Sequence, residues 1–425
     1  MTFSTARIEL PKNKMLRIMG PANVCVEQGK VRILGIEFGE RSRFIIHRFR
    51  SYVIRAVEPS IISVVLGTGG VIEEPGEGEE VIDVWESIAE KIVSTGNFVA
   101  MVVGPVDSGK TSFSTLLANV SLDKGLRVGI VDADVGQGDL APPGFVAAKI
   151  LDRKVLWLRE LRGDRAKFVG FITPSIPQAG SRLLTAISQL VEELRSDGCR
   201  AIVVNTDGWV HGLQAIEMKL DIALAIGATH VVVLDEDVCT RFKESLGGRV
   251  EVVCAPRPKV VRERNRVDRR MLRRHHYMSF FHNAKKRCVD LSNIIVVGSC
   301  LLSGKPVEVQ IPYTRARIYR VVDHDDCIVV YASTDLPPDV LAKLRESLGK
   351  EVVVVTPSSV KGLLAAVLDR NLKVVAPALI ESLDLSSNKI CMLTEYEGEV
   401  GGIVVGRIKL SENWDEITKL PRCPI

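Results

Sequence analysis

The chain has 425 residues, more than one compact core usually holds, so two or three domains are expected. Its composition, 46% hydrophobic and 25% charged, is ordinary for a globular protein and excludes disordered, fibrous and repeat proteins. The net charge of +4 says little, but residues 257–287 carry a net +10 and leave −6 for the rest of the chain. One segment therefore holds the whole basic excess, which indicates a local contact with a polyanion.

The nine cysteines are scattered, without a C-x-x-C pair or a Cys/His cluster at zinc-ligand spacing, so we expect reduced thiols. Residues 1–14 lack the apolar core of a signal peptide. Apolar runs such as IISVVL are far shorter than the roughly 20 residues that a membrane span needs. These features predict a cytoplasmic protein without membrane contact.

The first part of the chain shows short alternating runs such as NVCVEQGKVRILG, broken by Gly and Pro turns. Such a pattern predicts a small all-β domain over residues 1–82. Within it, EEPGEGEE (73–80) is acidic and glycine-rich and has no apolar periodicity. This stretch is typical of a linker.

From residue 83 the pattern changes to buried strands separated by amphipathic helices. Strands are predicted at FVAMVV (98–103), LRVGIVD (ending at Asp132), AIVVN (201–205) and HVVVLD (230–235), and GSRLLTAISQLVEELRSDG is a clear helix. This alternation predicts a parallel, doubly wound sheet over residues 83–289, with ligands at the carboxyl ends of its strands.

After about residue 290 the text becomes β-rich again. Strands are expected in VEVQI, RIYRVV, CIVVYA and GGIVVGRIKL, and one helix in LPPDVLAKLRESLG. We predict a third domain over residues 290–425. It contains no motif to which chemistry can be assigned.

GPVDSGKTS, Gly104–Ser112, fits the phosphate-loop pattern G-x-x-x-x-G-K-[ST] and lies between a buried strand and a helix. Its residues are expected to surround nucleotide phosphates: Gly104, Asp107, Ser108, Gly109, Lys110, Thr111 and Ser112. Lys110 would reach the β- and γ-phosphates, and the Thr111 hydroxyl would bind Mg²⁺. No N-K-x-D tetrapeptide for reading guanine occurs, so ATP is favoured over GTP.

The predicted fold is therefore α/β, with a P-loop NTPase-type parallel sheet core flanked by a small N-terminal β domain and a β-rich C-terminal domain. VDADVGQGD places Asp132 and Asp134 just past the strand expected beside the phosphate-loop strand. One acid would lie near Mg²⁺ and the other would accept a proton from an attacking hydroxyl. Asp134 is favoured as the base because Gly136 and Gly138 leave its approach open, whereas Asp132 reads equally well as a loop cap.

Two further strand ends carry candidate ligand contacts. In VVNTDGWVHG, Trp209 follows a central strand, where its ring would stack on a nucleobase. A tryptophan that only caps the core is the commoner case for an isolated residue. In FITPSIP, Thr173 precedes a proline and is, on its own, a loop residue.

The basic segment 257–287 reads as an arginine lid. Its arginines recur at helical spacing, at Arg262, Arg266, Arg269, Arg270 and Arg273. Guanidinium groups on one face would neutralise charge on a transferring phosphoryl group or clamp a nucleic-acid backbone. A solvated basic helix is the usual alternative, but the position after the last core strand favours a functional lid.

Together, GPVDSGKTS, DADVGQGD, NTDGWVHG and RNRVDRRMLRR resemble, in order, the motifs of the Clp/Grc family of polynucleotide 5′-hydroxyl kinases, and the chain looks like an archaeal member. The resemblance implies ATP-dependent phosphorylation of the 5′-hydroxyl of RNA during RNA processing, and it leaves DNA open as a second acceptor. Asp134 would activate that hydroxyl. The terminal nucleotide would be held by Gln137, Thr173, Thr206, Gly208 and Trp209.

The family has two functional lid arginines five residues apart. A register anchored on Phe280 and Phe281 gives Arg264 and Arg269, whereas a register two residues earlier gives Arg262 and Val267. Two other functions remain open: a nucleotide-bound scaffold of an RNA-processing complex with little or no kinase activity, and an ATPase that moves nucleic acid.

Overall fold

A computed structural model describes residues 4–417, 423 and 425. The remaining positions of the predicted first and third domains, residues 1–3 and 418–422 and residue 424, lie outside the described residues. The predicted fold class is confirmed, because a mostly parallel sheet forms the centre of the chain and antiparallel sheets form both ends. Within the described ranges, none of the helices combines the length and apolar character that crossing a membrane requires.

The N-terminal unit is all β, as its alternating sequence predicts. Its strands are β1 (Ser4–Leu10), β2 (Met15–Met19), β3 (Ala22–Gln28), β4 (Val31–Ile33), β5 (Ile36–Phe38), β6 (Arg43–Ile46), β7 (Ser51–Ala56), β8 (Ser60–Leu66) and β9 (Val71–Glu73). They form two sheets, in the orders β1-β8-β3-β6 and β5-β4-β7-β2-β9. In β7, Tyr52, Ile54 and Ala56 are buried and the residues between them are not, so one face of this strand forms core.

The stretch 73–80, predicted as a linker, is fixed by charge. Arg17 is buried, and its guanidinium lies 3.2 Å from Glu73, 3.1 Å from Glu79 and 2.5 Å from Glu80. A buried arginine needs such partners because its charge is otherwise uncompensated. The segment that connects the N-terminal unit to the central unit is therefore fixed in position by these ion pairs.

The central unit alternates strands and helices. Its elements are α1 (Ile82–Val93), β10 (Phe98–Val103), α2 (Lys110–Asp123), β11 (Val128–Ala133), β12 (Phe145–Ile150), β13 (Arg165–Phe168), α3 (Pro177–Ser196), β14 (Ala201–Thr206), α4 (Leu213–Ala225), β15 (His230–Val233), α5 (Glu236–Leu246), β16 (Glu251–Cys254) and α6 (Arg266–Phe280). The sheet order is β13-β12-β11-β14-β10-β15-β16. From β11 to β16 neighbouring strands are parallel, whereas β12 and β13 add an antiparallel edge that the sequence did not indicate.

Strand β10 is buried along its whole length because helices cover both faces of the sheet. Its residues Ala100 and Val102 belong to the core shared with α1 and α2. Val99, Met101 and Val103 belong to the core shared with α3, α4 and α5. The strand thus ends, in the middle of the sheet, at the start of the phosphate loop.

The C-terminal unit is β-rich, as predicted. Its elements are β17 (Lys285–Asp290), β18 (Ile295–Val297), α7 (Cys300–Ser303), β19 (Lys305–Pro306), β20 (Ile318–His324), β21 (Cys327–Ala332), α8 (Pro338–Leu348), β22 (Glu351–Val355), α9 (Pro357–Val360), β23 (Leu363–Leu368), β24 (Val374–Asp384), β25 (Lys389–Thr394), β26 (Gly402–Leu410) and β27 (Glu416–Ile417). One sheet has the order β17-β25-β24-β23-β26-β18 with β27 beside β26, and the other is β19-β20-β21-β22.

The strand predicted at VEVQI, residues 307–311, is wrong. This segment lies between β19 and β20, and its Val309 and Ile311 side chains pack against a small apolar core. Its first residue, Val307, donates its backbone N–H to the Val321 carbonyl of β20 at 3.2 Å, but no strand continues from there. The apolar alternation was therefore real, but it serves packing more than strand pairing.

The expectation of reduced thiols is also wrong for six cysteines. Disulfides join Cys239 to Cys254, Cys288 to Cys391 and Cys300 to Cys423. The first links α5 to β16, and its Cα atoms are 5.7 Å apart, within the usual range for a bridge. Spacing along the chain could not show these pairs, because each is brought together only by the fold.

Candidate active site

A cavity of about 570 Å³ lies at the carboxyl end of the parallel sheet. The phosphate loop, the loops after β11 and β14, the N-terminal unit and the lid all contribute to its wall. Its volume suits a nucleotide-sized ligand. The site thus lies where strands of an open α/β sheet usually bind their ligands.

The phosphate loop has the conformation its glycines predict. Gly109 has φ +95° and precedes α2, and a Cβ there would come within 2.6 Å of the Trp85 ring. Of the predicted phosphate contacts, those that line the cavity are Asp107, Ser108, Gly109, Lys110, Thr111 and Ser112. Gly104 is buried at the end of β10 and does not line it.

Lys110 is buried, and its ammonium Nζ donates to the Pro105 carbonyl oxygen at 2.7 Å. Burial lowers the pKa of Lys110 to about 8, although the charges of Asp134 and Asp207 oppose the change. The ammonium thus lies on a carbonyl of its own loop. To bind a phosphate it must exchange this hydrogen bond for a phosphate oxygen.

Asp134 lines the cavity as predicted. Its Oδ1 accepts backbone N–H groups from Gly136 at 3.0 Å and Gln137 at 2.9 Å. Burial and the charge of Asp207 raise the pKa of Asp134, against the charge of Lys110 and these two hydrogen bonds. A carboxylate with a raised pKa binds a proton more readily than an exposed aspartate, as the predicted role of Asp134 requires.

Asp132 is buried behind the cavity wall. Its Oδ2 accepts the Asp139 backbone N–H at 2.5 Å, and its Oδ1 accepts from Asn205 Nδ2 at 3.0 Å. The same Asn205 amide nitrogen lies 3.3 Å from Thr111 Oγ1. Burial and the charge of Asp139 raise the pKa of Asp132 to about 7. Asn205, whose role the sequence did not reveal, therefore connects the two predicted magnesium ligands.

This donor set fits Mg²⁺. Across residues 4–417, 423 and 425, no three His, Cys, Asp or Glu side chains converge as a metal cage would require. Mg²⁺ in phosphoryl-transfer sites is held by only one or two protein oxygens, with phosphates and water completing the shell. The hydroxyl of Thr111, which lines the cavity, supplies an oxygen of this kind, whereas Asp132 lies behind the wall with both oxygens accepting hydrogen bonds and would act through water.

The clasp, residues 205–212, places Gly208 and Trp209 on the cavity wall. Thr206 does not face the cavity: it is buried, and its hydroxyl donates to the Val102 carbonyl at 2.8 Å. Because β14 lies beside β10, this hydrogen bond joins two neighbouring strands within the sheet. The prediction that Thr206 contacts substrate therefore has no support from its side-chain position.

Asp207 and Lys219 hold the clasp, and sequence reasoning missed both. Asp207 Oδ1 accepts the Trp209 backbone N–H at 2.8 Å, and its Oδ2 lies 2.5 Å from Lys219 Nζ. Lys219 is fully buried, with 0% side-chain exposure. A lysine in the middle of α4 gave no signal, because only the fold shows that it points inward.

Gln137 and Thr173 line the same cavity, as predicted. Gln137 Nε2 donates to the Gly136 carbonyl at 2.8 Å, which turns its side chain along the acidic loop (residues 132–139). Thr173 lies between the cavity-lining Ile172 and Pro174. The structure thus brings two loops that are far apart in the sequence to one wall.

The lid forms a helix later than its arginine spacing suggests. Helix α6 begins at Arg266, because Asn265 and Asp268 make a reciprocal capping box. Arg262 lies before the helix, so it does not share a helical face with the others; it donates to the Gly20 carbonyl at 2.6 Å. The shared face predicted for Arg262 is therefore wrong.

Arg264 and Arg269 meet on Asp107. Asp107 accepts from Arg264 Nη2 at 2.7 Å and from Arg269 Nη2 at 3.1 Å, and all three residues line the cavity. Val267, from the other register, is 72% exposed. Burial raises the pKa of Asp107, but the charge of Arg264 and hydrogen bonds from it and Arg269 outweigh this and hold the pKa below its usual value.

The buried carboxylate of Asp139 joins the N-terminal unit to the acidic loop. Asp139 accepts from Arg50 Nη2 at 2.6 Å, Arg159 Nε at 3.0 Å and Trp157 Nε1 at 3.0 Å. Burial raises its pKa, but the charges of the two arginines outweigh this effect and lower it. Asp139 was not predicted, because its partners lie 18 to 89 residues away in the chain.

Comparisons with known proteins agree with these motifs. Residues 104–283 match the family described as the mRNA cleavage and polyadenylation factor CLP1 P-loop. The chain is 26% identical over 344 residues to the polyribonucleotide 5′-hydroxyl-kinase of Pyrococcus horikoshii, covering 79% of this chain and 92% of that protein. It is 28% identical over 337 residues to the kinase of the same description from Pyrococcus furiosus, covering 76% and 90%.

A CLP1 homologue from Nematostella vectensis is 30% identical over 194 residues, covering 43% of this chain and 44% of that protein. Among solved structures, Clp1p in its complex with Pcf11p superposes with a TM-score of 0.64 at 16% identity, covering 96% and 98% of the two chains, so the whole fold is shared. The chain thus contains a CLP1-type P-loop region and is similar over most of its length to the Pyrococcus polyribonucleotide 5′-hydroxyl-kinases.

Proposed function

We propose that the protein transfers the γ-phosphate of ATP to the 5′-hydroxyl end of RNA. One observation carries this proposal: a phosphate loop and a buried acid with a raised pKa, Asp134, line the same cavity. Asp132 already supplies the acid expected near Mg²⁺, so Asp134 is available as a base. Its presence beside a stacking residue, Trp209, supports a second substrate with a hydroxyl and a base.

ATP would lie with its phosphates on the loop and its base at the apolar end of the cavity. That end is lined by Val81, Ile82, Trp85 and Val260. Backbone N–H groups at the start of α2 would bind the phosphates, and Lys110 would exchange Pro105 for their oxygens. Thr111, and Asp132 through water, would hold Mg²⁺, which would neutralise charge that develops on the phosphates.

RNA would enter on the side of Asp134. As the 5′-oxygen forms its bond to the γ-phosphorus, the bond to the β,γ-bridging oxygen breaks and ADP leaves, while Asp134 accepts the hydroxyl proton. The raised pKa of Asp134 makes it a stronger base than an exposed aspartate. Gln137 and Thr173 would position the terminal nucleotide, and Trp209 would stack on its base. The lid arginines would cover the transferring group.

The proposal assigns nucleotide binding to the predicted domain 83–289, with domain 1–82 closing the base end and domain 290–425 supporting the lid. We propose further that the enzyme is of the archaeal type and acts in the cytoplasm. RNA is its main acceptor, and DNA is a second acceptor to be tested beside it. The three disulfides do not exclude this compartment, because intracellular proteins of hyperthermophiles are rich in disulfides.

The test is incubation with γ-labelled ATP and single-stranded RNA bearing a 5′-hydroxyl, with 5′-phosphorylated RNA as the control acceptor. Asp134→Asn should lower kcat by about 10² to 10⁴, whereas Asp237→Asn, an exposed acid on α5, should not. Absence of labelled RNA, or full activity in Lys110→Ala, would refute the proposal. Tight retention of ATP without turnover would instead support a nucleotide-bound scaffold.

A further inference from the structure

The acid in the phosphate loop faces the lid. Asp107 has φ +58°, a left-handed conformation that is uncommon for a residue with a side chain, and its side chain is 10% exposed. No hydrogen bond within the loop accounts for this position. Instead, both lid arginines donate to its carboxylate.

The two arginines bind Asp107 very unequally. Arg264 donates from its backbone N at 3.2 Å, from Nε at 2.9 Å and from Nη2 at 2.7 Å. Arg269 donates only from Nη2, at 3.1 Å. Its Nε is buried and has no hydrogen-bond partner among the residues that the structure describes. A buried unpaired donor is costly, so this group is ready to take an acceptor that enters the cavity.

From this asymmetry we infer that the lid arginines divide their work, an inference that rests on the proposed kinase function. Arg264 is a positioning residue, fixed to Asp107 by main chain and side chain together. Arg269 is the catalytic arginine, which exchanges its single bond to Asp107 for an oxygen of the transferring phosphoryl group. Asp107 anchors the lid to the phosphate loop. Arg264 compensates the negative charge of Asp107, so that this carboxylate does not repel ATP.

Kinetics of matched variants test this division. Arg269→Ala should lower kcat about a thousandfold with little change in KM for ATP, and added guanidinium ion should restore part of kcat. Arg264→Ala should mainly raise KM, without rescue. Arg241→Ala is the control, because Arg241 lies on α5, outside the lid, and is exposed. Equal losses of kcat at Arg264 and Arg269, both rescued by guanidinium, would overturn the inference.

A measurement without catalysis separates this inference from the kinase proposal. In the ATP-free protein, Asp107→Ala should speed hydrogen exchange of the Arg264 backbone amide, whose acceptor is Asp107, at least tenfold. Asp107→Ala combined with Arg264→Ala should add little exchange elsewhere in the lid. Unchanged lid exchange in Asp107→Ala refutes the anchor even if RNA is phosphorylated. An anchored lid in a protein that labels no RNA would refute the function and leave the anchor standing.

A different observation concerns the C-terminal unit. Residues 313–319, called the strip here, bend at Tyr313, Arg315 and Ala316 and alternate in exposure: Tyr313 is 91% exposed, Arg315 and Arg317 are exposed, and Tyr319 is 44% exposed. The intervening Ala316 and Ile318 pack against the small core under the strip. The fold therefore leaves two aromatic rings and two guanidinium groups exposed within seven residues.

The charge of this strip is uncompensated. Neither Arg315 nor Arg317 pairs with a carboxylate among the described residues, and the Arg317 guanidinium lies 5.6 Å from the Tyr319 ring centroid. By contrast, the lid arginines Arg270 and Arg273 are both paired with carboxylates. Free guanidinium groups interleaved with exposed aromatic rings suit phosphates and unstacked bases.

We propose that the strip binds single-stranded RNA, as a second contact for the strand whose 5′ end enters the active site. The identity of the ligand rests on the proposed function, but its chemistry rests on charge complementarity. Arg315 and Arg317 would contact phosphates, and Tyr313 and Tyr319 would stack on bases. An acidic protein segment would use the two arginines but not the tyrosines.

Binding of a labelled, 5′-phosphorylated 20-nucleotide RNA, measured by fluorescence anisotropy, tests the strip without requiring catalysis. Arg315→Ala/Arg317→Ala should reduce the slope of log Kd against log salt by about 1.4, and Tyr313→Ala should weaken binding at least about fivefold. Lys343→Ala/Arg345→Ala, which removes the same charge from exposed positions on α8, is the control. Equal effects of both pairs, or none from Tyr313→Ala, would refute the proposal.

Discussion

Replacing Lys219 by methionine should be among the most damaging single changes outside the cavity wall. Its ammonium is fully buried and lies 2.5 Å from Asp207, which also accepts the Trp209 backbone N–H of the clasp. Methionine keeps much of the volume and removes the charge. Asp207 would then be an uncompensated buried carboxylate beside Asp134, whose pKa its charge already raises.

The expected cost follows from burial. Removing one partner of a buried ion pair costs about 3–5 kcal/mol, whereas replacing both partners by neutral groups is often close to neutral. Lys219→Met should therefore cost about 3–5 kcal/mol of unfolding free energy. Lys219→Met combined with Asp207→Asn should recover most of it, because asparagine keeps an oxygen for the Trp209 N–H and leaves no charge to compensate.

The assay is guanidinium unfolding followed by circular dichroism, with the free energy taken from the midpoint shift at equal slope. Lys91→Met is the matched control, because its pair with Glu251 is exposed and should contribute less than about 1 kcal/mol. A loss at Lys219 no larger than the loss at Lys91 would refute the reasoning. So would a double variant no more stable than Lys219→Met, because the cost would then come from packing and not from the unpaired charge.

Three further changes have defined outcomes. Burial lowers the pKa of His276 to about 3 from an unfolded value of 6.5, so the unfolded chain takes up this proton first. The free energy of unfolding should therefore fall by up to about 1.4 kcal/mol per pH unit as the pH drops below 6.5. In acid unfolding, His276→Gln should remove this contribution, and His275→Gln, at an exposed position, should leave it unchanged. Asp139→Asn should cost about 3–5 kcal/mol, seen as a lower melting temperature, because two half-buried arginines lose their buried counter-charge. Gly208→Ala would place a Cβ 2.5 Å from a Val106 side-chain carbon and so displace the clasp. The KM for RNA should then rise about tenfold. An unchanged KM would contradict this close approach.

The central unit could be predicted from the sequence because its signals are local. FVAMVV was expected at 98–103 and forms β10 over those residues, and the predicted helix start at Lys110 is the observed start of α2. A continuous apolar run bounded by a glycine-rich turn has few alternatives. The antiparallel edge strands β12 and β13 gave no such signal, since FVAAKI and RAKF are short and their pairing depends on neighbours.

In the site, motif residues were predictable and their supports were not. Asp134 and Lys110 were found because fixed spacing to glycines identifies them. Lys219, Asp139 and Asn205 act through contacts with residues 12 to 94 positions away, which spacing cannot reveal. Thr206 shows the converse limit: it follows its motif, but its hydroxyl bonds inside the sheet.

The cavity wall draws on three parts of the chain: the N-terminal unit through Arg50, the phosphate loop through Thr111 and the lid through Arg269. A nucleotide bound there would raise the free energy of unfolding, by about 2.7 kcal/mol at a nucleotide concentration one hundred times Kd. Cellular ATP would then act by mass action on the lifetime of the protein as well as on its reaction. Nucleotide depletion would expose the chain to proteases before it limits phosphorylation.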